Sequence, residues 1–169
     1  KIVKKLKLYQ ISTGDLLRNE VKNKTEIGKH IENIISKGDF ATDEIVNELI
    51  KNAIFDPLNK NKLIFDGYPR SLSQAKNLDF LLSSSNQKID FIFFLNVKKE
   101  TIIERIKKRK ILEKRPDDNL TTILKRYDTY METTKPVLDF YSKKSNFYEI
   151  DGDAKIEEIS SKIDQILTV

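Results

Sequence analysis

Lys62-Leu-Ile-Phe-Asp-Gly-Tyr-Pro-Arg70 is an apolar run that stops on a carboxylate, a glycine and a proline, and a helical pattern resumes from Ser71. A short run apolar on both faces predicts a buried strand, since neither side is left for solvent. Gly67 and Pro69 break the extended pattern, and Ser71 starts a helix that closes in Ser83-Ser-Ser-Asn86. Strand, sharp turn and helix in that order form the repeating unit of a parallel α/β sheet.

The same alternation extends in both directions. Upstream, Tyr9 to Ile11 reads as a strand ended by Ser12-Thr-Gly14. A helical pattern then runs from Asp15 through Leu16, Leu17, Val21, Ile27, Ile31, Ile34 and Ile35 to a stop at Lys37-Gly38. Thr42 reads as the N-cap of a helix over Asp43 to Phe55. Downstream, Phe91-Ile-Phe-Phe-Leu-Asn-Val97 is an unbroken apolar strand, expected to be covered on both faces. Residues 98–110 read as a basic helix. Pro116-Asp-Asp118 opens a long one with Leu120, Ile123, Leu124, Tyr127, Met131 and Leu138 on one side and a kink at Pro136. Phe147 to Asp151 is the last strand, and Ile156, Ile159, Ile163 and Ile166 mark the closing helix. Strands separated by helices imply right-handed crossovers and a parallel sheet.

Composition narrows the class of function. A length of 169 residues suits one domain, or one domain with a small mobile insert. With 38% hydrophobic residues in periodic runs, the 34% that are charged describe a solvated surface and not a disordered chain. There is no cysteine, which excludes disulfides and thiolate metal sites, and a single histidine, His30, excludes a histidine cluster. His30 reads as a surface residue. No apolar stretch nears the roughly 20 residues that span a bilayer, and no signal peptide is visible, so the cytoplasm is the expected compartment. The net charge of +5 fits a lysine-rich surface or an anionic partner.

Of 31 basic residues only Arg18, Arg70, Arg105, Arg109, Arg115 and Arg126 are arginine. In so lysine-biased a chain, arginine marks places where a planar two-pronged donor is needed. Arg18 follows Ser-Thr-Gly, Arg70 follows Asp-Gly-Tyr-Pro, and Arg115 precedes Pro-Asp-Asp. Arg105 and Arg109 share a helix face. The pattern points to guanidinium groups converging on a polyphosphate; the plainer reading is a set of ordinary surface residues.

Ile11-Ser-Thr-Gly-Asp-Leu-Leu-Arg18, Gly38-Asp-Phe-Ala-Thr-Asp-Glu44, Phe65-Asp-Gly-Tyr-Pro-Arg70 with Gln74, and Arg115-Pro-Asp-Asp118 together resemble the adenylate kinases. Arg126, Tyr130, Thr134-Lys-Pro136 and Ile150-Asp-Gly152 continue the likeness, which covers essentially the whole chain. The resemblance implies a P-loop NTPase-like parallel sheet flanked by helices. A single domain over 1–169 would comprise a core (1–12, 56–105, 119–169), an AMP-binding segment (13–55) and a short lid (106–118). It implies reversible phosphoryl transfer from ATP to AMP, giving ADP, with Mg²⁺ bound alongside ATP and no zinc. The expected partners are ATP, AMP and ADP, with no nucleic acid or membrane, in a monomer.

On the AMP side the likeness assigns Thr13, Arg18, Asp39, Phe40, Ala41, Gly67, Arg70, Gln74, Arg115 and Arg126. Gly67 admits the nucleotide close to the backbone, and Gln74 offers a donor and an acceptor to an adenine edge. On the ATP side it assigns Arg105 to adenine stacking, Arg109 to the phosphates and Ala154 to backbone contact with the adenine. The catalytic set is Arg70, Arg109, Arg115 and Arg126. No direct metal ligand is expected, although Asp66 could hold a Mg²⁺-bound water. One of Asp117 and Asp118 is equally suited to capping a helix.

The chain departs from the family pattern in one respect: it contains no Gly-x-x-x-x-Gly-Lys-Ser/Thr loop or Gly-rich variant. Lys1 also falls in an amphipathic pattern already under way at Ile2, Val3 and Leu6. The expectation is that about 20 further residues upstream carry the first strand and the phosphate loop, and that the chain alone has little or no kinase activity. The sheet would then break at its centre. The short stretch between Arg109 and Arg115 matches the family's short-lid form. Two alternatives stay open: a UMP or CMP kinase, against which Thr13 and Gln74 argue, and an inactive fragment serving as a nucleotide- or anion-binding module.

Overall fold

The computed structural model describes residues 2–36, 39, 41–113 and 120–168. Among these residues four strands alternate with helices, in the order that the sequence predicts. They are α1 (Ile2–Leu6), β1 (Tyr9–Ser12), α2 (Thr13–Lys22), α3 (Glu26–Ser36), α4 (Asp43–Phe55), β2 (Leu63–Asp66), α5 (Leu72–Ser84), β3 (Ile92–Asn96), α6 (Lys99–Glu113), α7 (Leu120–Thr129), α8 (Lys135–Tyr141), β4 (Phe147–Asp151) and α9 (Ile156–Leu167). The stop at Lys37-Gly38 and the opening Pro116-Asp-Asp118 lie outside the described residues.

Both strand pairings are parallel, as the crossover helices require. Tyr9 to Ser12 pair in register with Leu63 to Asp66, and Ile92 to Asn96 with Phe147 to Asp151. Among the described residues these are two separate pairs, β1 with β2 and β3 with β4. Strands expected to be buried are therefore half-exposed. β2 is only partly covered, while on β3 Leu95 keeps 43% of its surface and neighbouring Phe91 keeps 38%. A pair of strands has two edges, and its helices do not cover both faces. Instead the exposed face of β3 packs on itself, with the Phe91 and Phe93 rings 6.1 Å apart and the Phe93 and Tyr148 rings 5.8 Å apart.

Helix α5 carries the packing across the molecule. Leu78, Leu81 and Leu82 join Ile11, Ile31, Val46, Ile50 and Ile54 in one core, and Ala75 joins Val137 and Tyr141 in a second. Each buried Leu or Ile contributes about 1.5–3 kcal/mol of transfer free energy, so the first core is the principal anchor.

One local expectation is corrected and two are refined. The helical run from Asp15 is two helices, α2 and α3, because Lys24 adopts φ 53° and ends the first. Thr25 Oγ1 then accepts from the Gly28 N–H at 3.0 Å, capping the second. The helices meet so closely that a Cβ on Gly28 would lie 2.0 Å from the Glu20 carbonyl oxygen. Thr42 stands at the N-cap of α4, but its side chain makes no cap bond. At the proline, the long helix changes winding: Tyr130–Thr134 form a wide π turn between α7 and α8 that absorbs the missing Pro136 N–H. His30 is exposed, as expected. No described helix is long and apolar enough to cross a membrane.

Candidate functional site

Two turns at the carboxyl ends of neighbouring strands build the centre of the site. After β1, Ser12 caps α2 by accepting from the Asp15 N–H. After β2, Gly67 takes φ +70°, a backbone state that side chains resist, and the Tyr68–Pro69 peptide bond is cis. The turns are joined at one atom, the Gly67 carbonyl oxygen. It accepts from Thr13 Oγ1 at 3.1 Å and from Arg70 Nε at 2.7 Å. Thr13 is buried there. A Cβ on Gly67 would lie 2.8 Å from Arg70 Nη2, so glycine is required both by its conformation and by the guanidinium folded over it.

Arg70 is held through its backbone as well as its side chain. Its backbone N–H donates to Gln74 Oε1 at 2.7 Å, and its carbonyl accepts from Thr134 Oγ1 at 2.9 Å. Burial lowers the guanidinium's pKa, and the charges of Arg126 and Arg18 lower it further, with Asp66 opposing them. Arg18, Arg70 and Arg126 thus share one electrostatic neighbourhood, although they come from α2, the β2–α5 turn and α7. Arg18 Nη2 pairs with Asp15 one turn before it on α2. Asp66, exposed at the end of β2, accepts from Gln10 Nε2 at 3.0 Å.

The other predicted residues divide into groups. Asp39 pairs with Lys125, so the segment after α3 is tied to the helix that carries Arg126. Ala41 is buried in the first core. Gln74 is 5% exposed, and both ends of its amide are engaged by the protein. Arg105 Nη2 donates to the Gly152 carbonyl at 2.7 Å, bringing α6 onto the turn that holds Ala154. Arg109 lies one turn further along α6 and is half-buried. Phe40 and Arg115 lie outside the described residues. An open groove between α1 and α9, walled by Lys5, Glu157, Ser160 and Asp164, contains none of the predicted residues.

Sequence reasoning assigned no role to Asp43, Lys125 or Thr134. Asp43 accepts from Gln74 Nε2 at 2.6 Å and from Ser71 Oγ at 2.9 Å, and also from Ser73 Oγ. Its partners are some 30 positions away, and no periodicity links such a pair. The signals available were motif membership alone: Asp43 lies in the matched Gly38–Glu44 run and Thr134 in Thr134-Lys-Pro136.

Chemically, the arrangement suits an anion. Half-buried guanidinium groups stand beside a glycine that leaves the backbone open, and the described side chains present no activated nucleophile. Comparison with known proteins agrees with this chemistry. Residues 1–146 match the family model described as adenylate kinase. The chain is 46% identical over 194 residues to the adenylate kinase of Pelagibacter ubique strain HTCC1062, covering 99% of this chain and 91% of that protein. It is 43% identical over 163 residues to that of Azobacteroides pseudotrichonymphae genomovar. CFP2, covering 96% and 85%. It is 36% identical over 169 residues to that of Caulobacter sp. strain K31, covering 100% and 89%.

Proposed function

This chain belongs to the adenylate kinase family, and from that premise we propose that its protein moves a phosphoryl group reversibly between ATP and AMP, giving ADP. The observation that carries the reading is the Arg70 guanidinium held on the Gly67 carbonyl beside Thr13, with the charges of Arg126 and Arg18 acting on it. Guanidinium groups recognise phosphate oxygens through paired charge-assisted hydrogen bonds, and the AMP phosphate and the transferred phosphoryl group supply such oxygens. The relatives' names favour AMP over UMP or CMP, and an enzyme over a binding module.

Phosphoryl transfer has a loose, in-line transition state, so catalysis is chiefly positioning and charge stabilisation. Arg70 and Arg126, with Arg115 and Arg109, meet the charge spread over the phosphoryl oxygens. Thr13, Arg18, Gly67 and Gln74, with the segment from Asp39 through Phe40 to Ala41, hold AMP. Arg105 and Ala154 hold the ATP adenine; the hydrogen bond from Arg105 to Gly152 supports that placement. Bound with ATP, Mg²⁺ neutralises and orients the phosphates. Asp66 suits this role through water, being an exposed carboxylate at the end of β2 and close enough to oppose the arginine charges on Arg70. Closure of the AMP-binding segment (13–55) and the lid (106–118) keeps water out. We place the protein in the cytoplasm as a monomer.

The test is ADP formation by the complete gene product, supplied with ATP, Mg²⁺ and each nucleoside monophosphate in turn. AMP is expected to be preferred. UMP or CMP preferred by about tenfold in kcat/KM would overturn the substrate assignment, and no turnover with any of them would overturn the reaction.

A further inference from the structure

Asp43 and Gln74 lie at the first turns of α4 and α5, and three side-chain hydrogen bonds run from the start of α5 to one carboxylate. Gln74 Nε2 donates to Asp43 Oδ1 at 2.6 Å. Ser71 Oγ donates to Asp43 Oδ2 at 2.9 Å, and Ser73 Oγ donates to the same oxygen. Ser71 Oγ also accepts from the Gln74 N–H at 3.1 Å, so the cap of α5 and the anchor of the carboxylate are the same hydroxyl. At its other end the Gln74 amide accepts from the Arg70 N–H at 2.7 Å.

We propose that Asp43 is a positioning residue that fixes which way round the Gln74 amide stands, and through it sets the preference for a 6-amino over a 6-oxo purine monophosphate. The inference rests on the reading that Gln74 meets the purine of the acceptor nucleotide. A carboxylate only accepts and a backbone N–H only donates, so these two partners define the amide's orientation without ambiguity. Turning the amide over would set its oxygen against Asp43 and its NH₂ against the Arg70 N–H, two mismatches in a nearly buried place. Held this way, the amide has spent one of two N–H donors and one of two acceptor positions. A donor and an acceptor remain. A 6-amino purine complements them, because its amino group donates to the amide oxygen and its ring N1 accepts from the amide nitrogen. A 6-oxo purine presents an acceptor and a ring N–H at the same two places, and would require the reversed amide.

A clasp that merely pins α4 to α5 would affect stability and leave discrimination between purines alone. The experiment therefore measures kcat/KM for AMP and for inosine monophosphate, with ATP and Mg²⁺, in the complete gene product. Asp43→Asn keeps the shape but brings an NH₂ against donors from α5. It is expected to lower the AMP-to-inosine-monophosphate ratio by about tenfold, chiefly through KM for AMP. Asp43→Ala removes the acceptor without adding a donor; it is expected to move the ratio in the same direction, and it serves if the Asn variant folds poorly. In a Gln74→Leu background, Asp43→Asn is expected to change the ratio no further, since the amide through which it acts is gone. An unchanged ratio in the Asp43 variants, with a lowered ratio in Gln74→Leu, would overturn this proposal alone. An unchanged ratio in Gln74→Leu would overturn the placement of Gln74 at the purine, and the proposal with it.

Discussion

The Thr134 hydroxyl donates to the Arg70 carbonyl at 2.9 Å, joining positions 64 apart in the chain. Thr134 closes the π turn before Pro136, so an irregularity in one helix is what reaches the turn between β2 and α5. Removing the hydroxyl tests whether that bond steadies Arg70. Thr134→Val keeps the shape and is expected to cost about 1 kcal/mol of stability. It should also lower kcat/KM for AMP severalfold, as read by urea unfolding and steady-state kinetics.

Arg70→Lys keeps a charge but loses the fork that reaches the Gly67 carbonyl while facing an anion. A fall of about 100-fold or more in kcat is expected, with the thermal midpoint moving by only a few degrees. Retained activity would show that point charge suffices at this position.

Gly67→Ala combines two penalties, a left-handed backbone at φ +70° and a methyl group 2.8 Å from Arg70 Nη2. The backbone cost alone is about 1–2 kcal/mol. Displacing the guanidinium should abolish most activity even where the protein still folds, so circular dichroism and turnover are measured on the same sample.

Alkaline pH should weaken the fold. Burial raises the Tyr68 phenol to about 12, and the charge of Asp43 adds to the rise. Burial and Asp79 also push Tyr141 upward. An unfolded tyrosine ionises near pH ~10, so the unfolded chain loses its proton first. This contribution is complete below that pH and is lost as pH rises toward 12. Urea midpoints measured across this range should fall. A flat profile would mean that these phenols are not buried in solution.

Much of the fold was legible because its signals are local. The run Leu63–Asp66, the turn residues Gly67 and Pro69, the cap at Ser71 and the strand Phe147–Asp151 follow from patterns within a few residues, and each stands where the sequence placed it. The break at Lys24 was hidden, since the apolar residues of α2 and α3 face one core and keep helical spacing across it. The exposure of Leu95 was hidden too, because the covering of a strand depends on which neighbours pair with it.

For the site the division is similar. The scarcity of arginine pointed to Arg18, Arg70 and Arg126, because phosphate recognition needs guanidinium forks whatever the surrounding fold, and the resemblance to the adenylate kinases added Gly67 and Gln74. Only the tertiary structure could decide that Asp43 accepts from Gln74, that Lys125 pairs with Asp39 and that Thr134 reaches Arg70. Hydrogen bonds between distant segments depend on how helices dock, and docking is set by the shapes of buried side chains taken together. No single stretch of the chain encodes that.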